Sequence, residues 1–199
     1  MSEKLKNIFD PPEKVQRIYE AISELVQENR EIAALKVQEI TSRAGIGKGT
    51  AYEYFSSKEE IILHAGFWIC FQQNRELLKE LEKYDDFQSK FMFLLGWMEN
   101  HKEQNELLIK ALKGSFHGEC TQLKELIPEG LIEKAKEYMT RQINRLFDLG
   151  YREGIITIQD EEKRMIVFFG TMMQYRFMSG MSKEEYKQFI YECMVKSLN

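Results

Sequence analysis

The stretch Val37–Ile62, VQEITSRAGIGKGTAYEYFSSKEEII, decides the fold. Val37, Ile40, Thr41 and Ala44 fall at i, i+3, i+4 and i+7, one buried stripe on a short helix. Gly45 follows where a helix end wants a residue that accepts a left-handed backbone. Ile46 then plugs the corner and Gly47 opens a second helix over Lys48–Phe55. Ala51 and Phe55, four apart, pack inward, while Lys48 and Tyr52 share a different, outer face. A small helix with a packed inner side and a Lys/Thr/Tyr outer side fits a recognition helix laid in a major groove.

Working outward, Asp10-Pro11-Pro12-Glu13 reads as a helix start, with Asp10 as cap and Glu13 completing a capping box. The helix it opens buries Val15, Ile18, Tyr19, Ile22, Leu25 and Val26. Ser56-x-x-Glu59 is a second capping box before a long helix to about Tyr84. Asp85-Asp86 begins a helix with Phe91, Leu94, Leu95 and Met98, and a further helix covers Glu103–Phe116. Pro128 opens an amphipathic helix ending in the Gly150–Gly154 region. Asp160 caps a helix carrying Met165, Phe168, Phe169, Met172 and Met173. Ser182-x-x-Glu185 caps the last, with Tyr186, Phe189, Ile190 and Cys193 on one stripe. The expectation is an all-α chain of about nine helices, with no window of sustained alternation that would make a strand.

Composition narrows the classes. The longest apolar run, Phe91–Met98, is far short of the ~20 residues a bilayer-spanning helix needs. The polar start, MSEKLKN, has no apolar signal region, and Cys70, Cys120 and Cys193 are too scattered for a disulfide framework, so a reducing cytoplasm is expected. The net charge of −4 argues against indiscriminate nucleic-acid binding. Between Lys36 and Lys58, however, Lys36, Arg43, Lys48 and Lys58 outnumber Glu39 and Glu53, and local charge sets phosphate affinity.

Ile40, Ala44-Gly45-Ile46, Gly47-Lys48-Gly49-Thr50, Tyr52, Tyr54-Phe55, Lys58-Glu59-Glu60 and Ile61 together resemble the tetracycline-repressor (TetR) family of bacterial regulators. That family's pattern here is roughly I-A-x-x-A-G-V-S-x-G-T-L-Y-x-Y-F-x-[SN]-K-E-x-L. Three positions depart from it: Thr41 stands for the usual alanine, Gly47 for a serine cap, and Leu35-Lys36 for threonines that often touch phosphate.

The resemblance implies a helix-turn-helix DNA-binding domain over residues 10–56 and a ligand-binding and dimerisation body over 57–199. By that resemblance Gly49 lets the backbone approach the groove. Lys48, Thr50 and Tyr54 reach base edges or backbone oxygens, Tyr52 donates to a phosphate, and Lys36 and Lys58 supply charged phosphate contacts. An inducer cavity in the body is implied too, with Phe67, Trp68, Phe71, Trp97, Met98, Phe116, Met139 and Met173 as apolar lining candidates. His117, Gln142 and Tyr175 are its polar anchors, with Tyr138 as a further one. At any single position among these, plain core is the competing reading. The last two helices would pair with their copies in a second chain. The implied partners are a double-stranded DNA operator, a small-molecule inducer and a second copy of the chain, with no membrane and no cofactor.

Other chemistry is weakly signalled. Gly45–Thr50 has the wrong spacing for a phosphate loop, and His117 and Cys120 are a lone pair without a second set to complete a zinc site. No catalytic constellation stands out. Two other classes remain: a protein whose main task is binding another protein on DNA, and a small-molecule enzyme on a helical body.

Overall fold

The computed structural model describes residues 10–31, 34–102, 130–175 and 182–199. Among them are eight helices and no strand: α1 (Glu13–Gln27), α2 (Val37–Arg43), α3 (Lys48–Tyr52), α4 (Lys58–Leu81), α5 (Phe87–Asn100), α6 (Leu131–Arg152), α7 (Glu161–Tyr175) and α8 (Lys183–Ser197). The helix expected over Glu103–Phe116 lies outside the described residues. The described residues divide at Glu76, with Leu77–Asn100 and Gly130–Asn199 forming a second unit.

In the first unit α1 packs on α2 and α2 on α3. The stripe of α1, Val15, Ile18, Tyr19, Ile22, Leu25 and Val26, is buried as its periodicity demands. It shares one core with Ile40 and Val37 of α2, Ala51 of α3, Phe55, and Ile61, Ile62 and Ala65 of α4. Gly45 sits at φ 66°, the left-handed conformation expected of it. The amide of Ile46 donates to Thr41 and that of Gly45 to Ser42, which closes α2 and turns the chain toward α3.

Two helix starts differ from their sequence reading. At α1 the cap is Pro12, whose carbonyl accepts from Val15 and Gln16, and no side chain caps. Asp10 therefore lies outside the helix, because the second proline is the last residue that has no amide to satisfy. At α4 the device is shifted by one residue: Glu60 N donates to Ser57 Oγ, and the Glu60 carboxylate accepts from Ser56 N and Ser56 Oγ. Glu60 is 3% exposed, so its charge is satisfied inside the turn rather than by water.

The second unit closes four helices into a ring, with α5 against α6 and α8, and α7 against α6 and α8. Phe87, Phe91, Phe147, Ile190 and Met194 fill its centre. Gly150 is required there by close approach, since a Cβ on it would stand 2.9 Å from the Phe87 ring. The caps of α7 and α8 match the sequence reading. Asp160 accepts from Lys163 N, while Ser182 and Glu185 exchange the two bonds of a capping box.

Candidate nucleic-acid interface

Helix α3 is five residues long and buries only Ala51, so its orientation is inherited from the turn at Gly45 and from Phe55 behind it. Gly47 caps it in an extended conformation with no side-chain bond, as expected of a glycine in a serine position. With Ala51 inward, Lys48, Gly49 and Tyr52 are exposed and Thr50 is half-buried. A Cβ on Gly49 would meet nothing within 4 Å, so its lack of a side chain is not explained by packing within this chain. Lys48 Nζ lies 5.8 Å from the Tyr52 ring centroid, so the two outer residues order one another.

The flanking cations frame this surface. Lys36 caps α2, with its amide donating to Glu39 Oε2 at 2.8 Å and its side chain exposed. Lys58 begins α4 and is half-buried, with Nζ 3.3 Å from the carbonyl oxygen of Leu35. Tyr54 is half-buried against the first core. Arg43, counted among the local cations from sequence, is engaged elsewhere. Its Nη1 and Nη2 fork onto Glu28 at 2.7 and 3.0 Å, and Nη1 also lies 3.3 Å from Glu24. The signal for that pairing is a charge match across 15 to 19 residues, which no local pattern reveals.

The residues named for a ligand cavity fall in both units. Trp68 is buried in the first core, its ring 5.8 Å from Tyr19, and Phe67 and Phe71 are half-buried beside it on α4. In the second unit Trp97, Met98, Tyr138 and Gln142 are half-buried, and Met98 packs on the core. Met139 is 37% and Met173 56% exposed. Phe116, His117 and the side chain of Tyr175 lie outside the described residues, as does the His117–Cys120 pair. A groove of about 540 Å³ on α6 and α7 is lined by Glu133, Lys136, Glu137, Arg141, Asn144 and Glu161, and by none of these candidates. His64 is a packed histidine, edge-on to Phe55. Among the described residues no group of His, Cys, Asp or Glu could hold a metal, and no helix is long and apolar enough to cross a membrane.

A short exposed helix held by a glycine turn and carried on a three-helix core defines a helix-turn-helix protein. Residues 18–65 match the family model described as bacterial regulatory proteins, tetR family. That match covers the helix-turn-helix segment, and the all-helical fold of the described residues is similar to that of solved transcriptional regulators. A TetR family transcription regulator from Marinobacter aquaeolei is 15% identical, with 94% of this chain and 95% of that chain covered and a TM-score of 0.57. The transcriptional regulator FadR from Bacillus subtilis, solved in complex with stearoyl-CoA, is 16% identical over 92% of this chain and 99% of that one, with a TM-score of 0.60. A protein from Saccharomonospora viridis in complex with choline is 17% identical over 89% and 93%, with a TM-score of 0.59. No curated protein matches the chain significantly.

Proposed function

We propose that this protein is a dimeric, ligand-responsive repressor that reads a near-palindromic DNA operator and acts in the cytoplasm. The observation that carries the reading is the outer face of α3, where Lys48, Gly49 and Tyr52 are exposed while Ala51 and Phe55 anchor the inner side. In this reading Lys48, Thr50 and Tyr54 meet base edges or backbone oxygens, and Tyr52, Lys36 and Lys58 meet phosphates. One recognition helix this short reads few bases, so two heads on a two-fold axis, spaced ~34–36 Å, would double the site.

A second copy has a surface to use. On α7 the outward residues Ile166, Phe169 and Met173 are 65%, 52% and 56% exposed at helical spacing, and Phe189 of α8 is 40% exposed. Exposed apolar stripes of this kind mark contacts between chains. Tyr186, in contrast, is buried in its own chain's core.

The ligand reading rests on stearoyl-CoA and choline bound to proteins of the same fold. Ligand binding would favour a state in which α4 moves and the two heads lose register, which requires different affinity for the two states.

Footprinting the full-length protein on the DNA upstream of its own gene, at two salt concentrations, tests the reading. A symmetric protected site that weakens with salt is expected. DNA binding that is unchanged after Lys48→Ala with Tyr52→Ala would remove DNA reading from α3, and full function retained by that variant in the cell would favour a role in binding another protein.

A further inference from the structure

Helix α3 packs on α2, and α2 packs on α1, so whatever fixes α2 against α1 also fixes the aim of α3. Apolar contacts from Ile40 and Val37 hold α2 down, but a seven-residue helix has few of them. Beyond them, charged groups meet in both directions across the same seam. Arg43 at the end of α2 reaches back to Glu28 and Glu24 of α1, and Arg30, just past α1, lies 3.6 Å from Glu39 in the first turn of α2. The Arg43–Glu28 contact is bidentate, at 2.7 and 3.0 Å, which is the geometry that makes an exposed pair directional. Glu39 also accepts from Lys36 N, so the acid that answers Arg30 is itself fixed by the start of α2.

We propose that Arg43 is a positioning residue and not a DNA contact: with Glu28 and Glu24, and with the reciprocal Arg30–Glu39 pair, it clasps α2 to α1 and so sets the aim of the recognition helix. This rests on the DNA-reading proposal and deepens it by removing one cation from the local charge counted toward phosphate affinity. It also makes a prediction of opposite sign to the alternative. If Arg43 served phosphate, Glu28 would compete for it, and neutralising Glu28 would strengthen DNA binding. If Arg43 is a clasp, neutralising Glu28 weakens binding just as removing Arg43 does.

The test uses the full-length protein and a duplex enriched from a random pool by the wild type. Glu28→Gln and Arg43→Met should each weaken binding several-fold, and the charge-swapped Arg43→Glu/Glu28→Arg protein should recover most of the loss. The slope of log affinity against log salt should stay unchanged in both single variants, because no phosphate contact is lost. Without DNA, amide hydrogen exchange across α2 should be faster in both. Tighter binding by Glu28→Gln, a salt slope lowered by about one in Arg43→Met, or no effect of either substitution would each overturn the clasp. Should the wild type enrich no duplex, DNA reading itself fails. The exchange measurement then decides the clasp alone: faster exchange supports it and unchanged exchange overturns it.

Discussion

Lys58 Nζ donates to the carbonyl of Leu35 across 3.3 Å, joining the first residue of α4 to the residue just before the cap of α2. An ammonium carries three protons, and this bond orients the group. It also stands at the positive end of a 24-residue helix, where an anion is favoured. Lys58→Ala is therefore expected to weaken DNA binding about equally on every sequence and to lower the salt slope by about one, whereas Lys58→Arg keeps the slope. Fluorescence anisotropy on several duplexes across a salt series measures both. A loss confined to one base position would assign Lys58 to base reading instead.

The Tyr19 hydroxyl is buried and has no hydrogen-bond partner among the described residues. Burial, and then the negative charge of Glu60, hold its pKa above the ordinary phenol value. The ring itself is well placed, 6.2 Å from Phe55 and 5.8 Å from Trp68. Tyr19→Phe keeps those contacts and deletes an acceptor and donor that nothing satisfies. It should raise stability by roughly 1 kcal/mol, a few degrees in unfolding midpoint for a chain of this size. A lower midpoint by calorimetry would mean that the hydroxyl has a partner in solution.

What the sequence made legible was local. The turn at Gly45, the inward Ala51 and Phe55, and the caps at Asp160 and Ser182 each depend on residues within one or two turns of one another. Where two adjacent residues offered the same chemistry, the reading slipped by one. Ser56 and Ser57 precede Glu59 and Glu60, and only the packed structure selects Ser57 with Glu60, because burying Glu60 aligns its carboxylate with Ser56. Long-range pairings were not legible, and Arg43 with Glu28 is the clearest of them. Helix α7 shows a third limit. Its apolar residues cover two faces, Phe168 and Met172 inward and Ile166, Phe169 and Met173 outward. A helix apolar on both sides gives no signal for which face is core.

Among the described residues, three carboxylates are held below their ordinary values and contribute to the acid limb of stability. Glu28 is held below its ordinary value of 4.5 by the hydrogen bond from Arg43, and Glu185 below the same value by the Ser182 hydroxyl. Asp86 is held below 3.8 by the backbone amide of Ser89. In each case the folded pKa lies below the unfolded one, so the unfolded chain binds more protons in acid. Their contribution is then complete above the ordinary carboxylate range and is lost as pH falls through the folded values. All three are exposed and screened, so the loss should be gradual. The unfolding midpoint should be flat from pH 7 to about 5 and decline below that. Glu185→Gln should lower the plateau and shrink the decline. An undiminished decline in that variant would remove the α8 cap from the acid limb.

The exposed face of α7 and the buried face of α8 call for different outcomes on substitution. Ile166, Phe169 and Met173 project outward, and a Cβ on Gly170 between them would meet nothing within 4 Å among the described residues. Phe169→Glu places a charge on that stripe and gives up the 5.5 Å edge contact of its ring with Phe168, which keeps its own edge-on packing to Phe147 inside the chain. It is expected to give a folded monomer. Tyr186 sits in the second core with Ile190, Tyr191 and Met194, so Tyr186→Asp buries a carboxylate among them and should cost the fold several kcal/mol. Light scattering and circular dichroism together distinguish the two variants: halved mass with intact helicity for Phe169→Glu, and lost cooperativity of unfolding for Tyr186→Asp. A dimer that survives Phe169→Glu unchanged would move the contact off α7. Weakened DNA binding by the folded monomer would tie the reading of a two-fold operator to this stripe, because each head alone retains its own Lys48 and Tyr52 but not the second half-site.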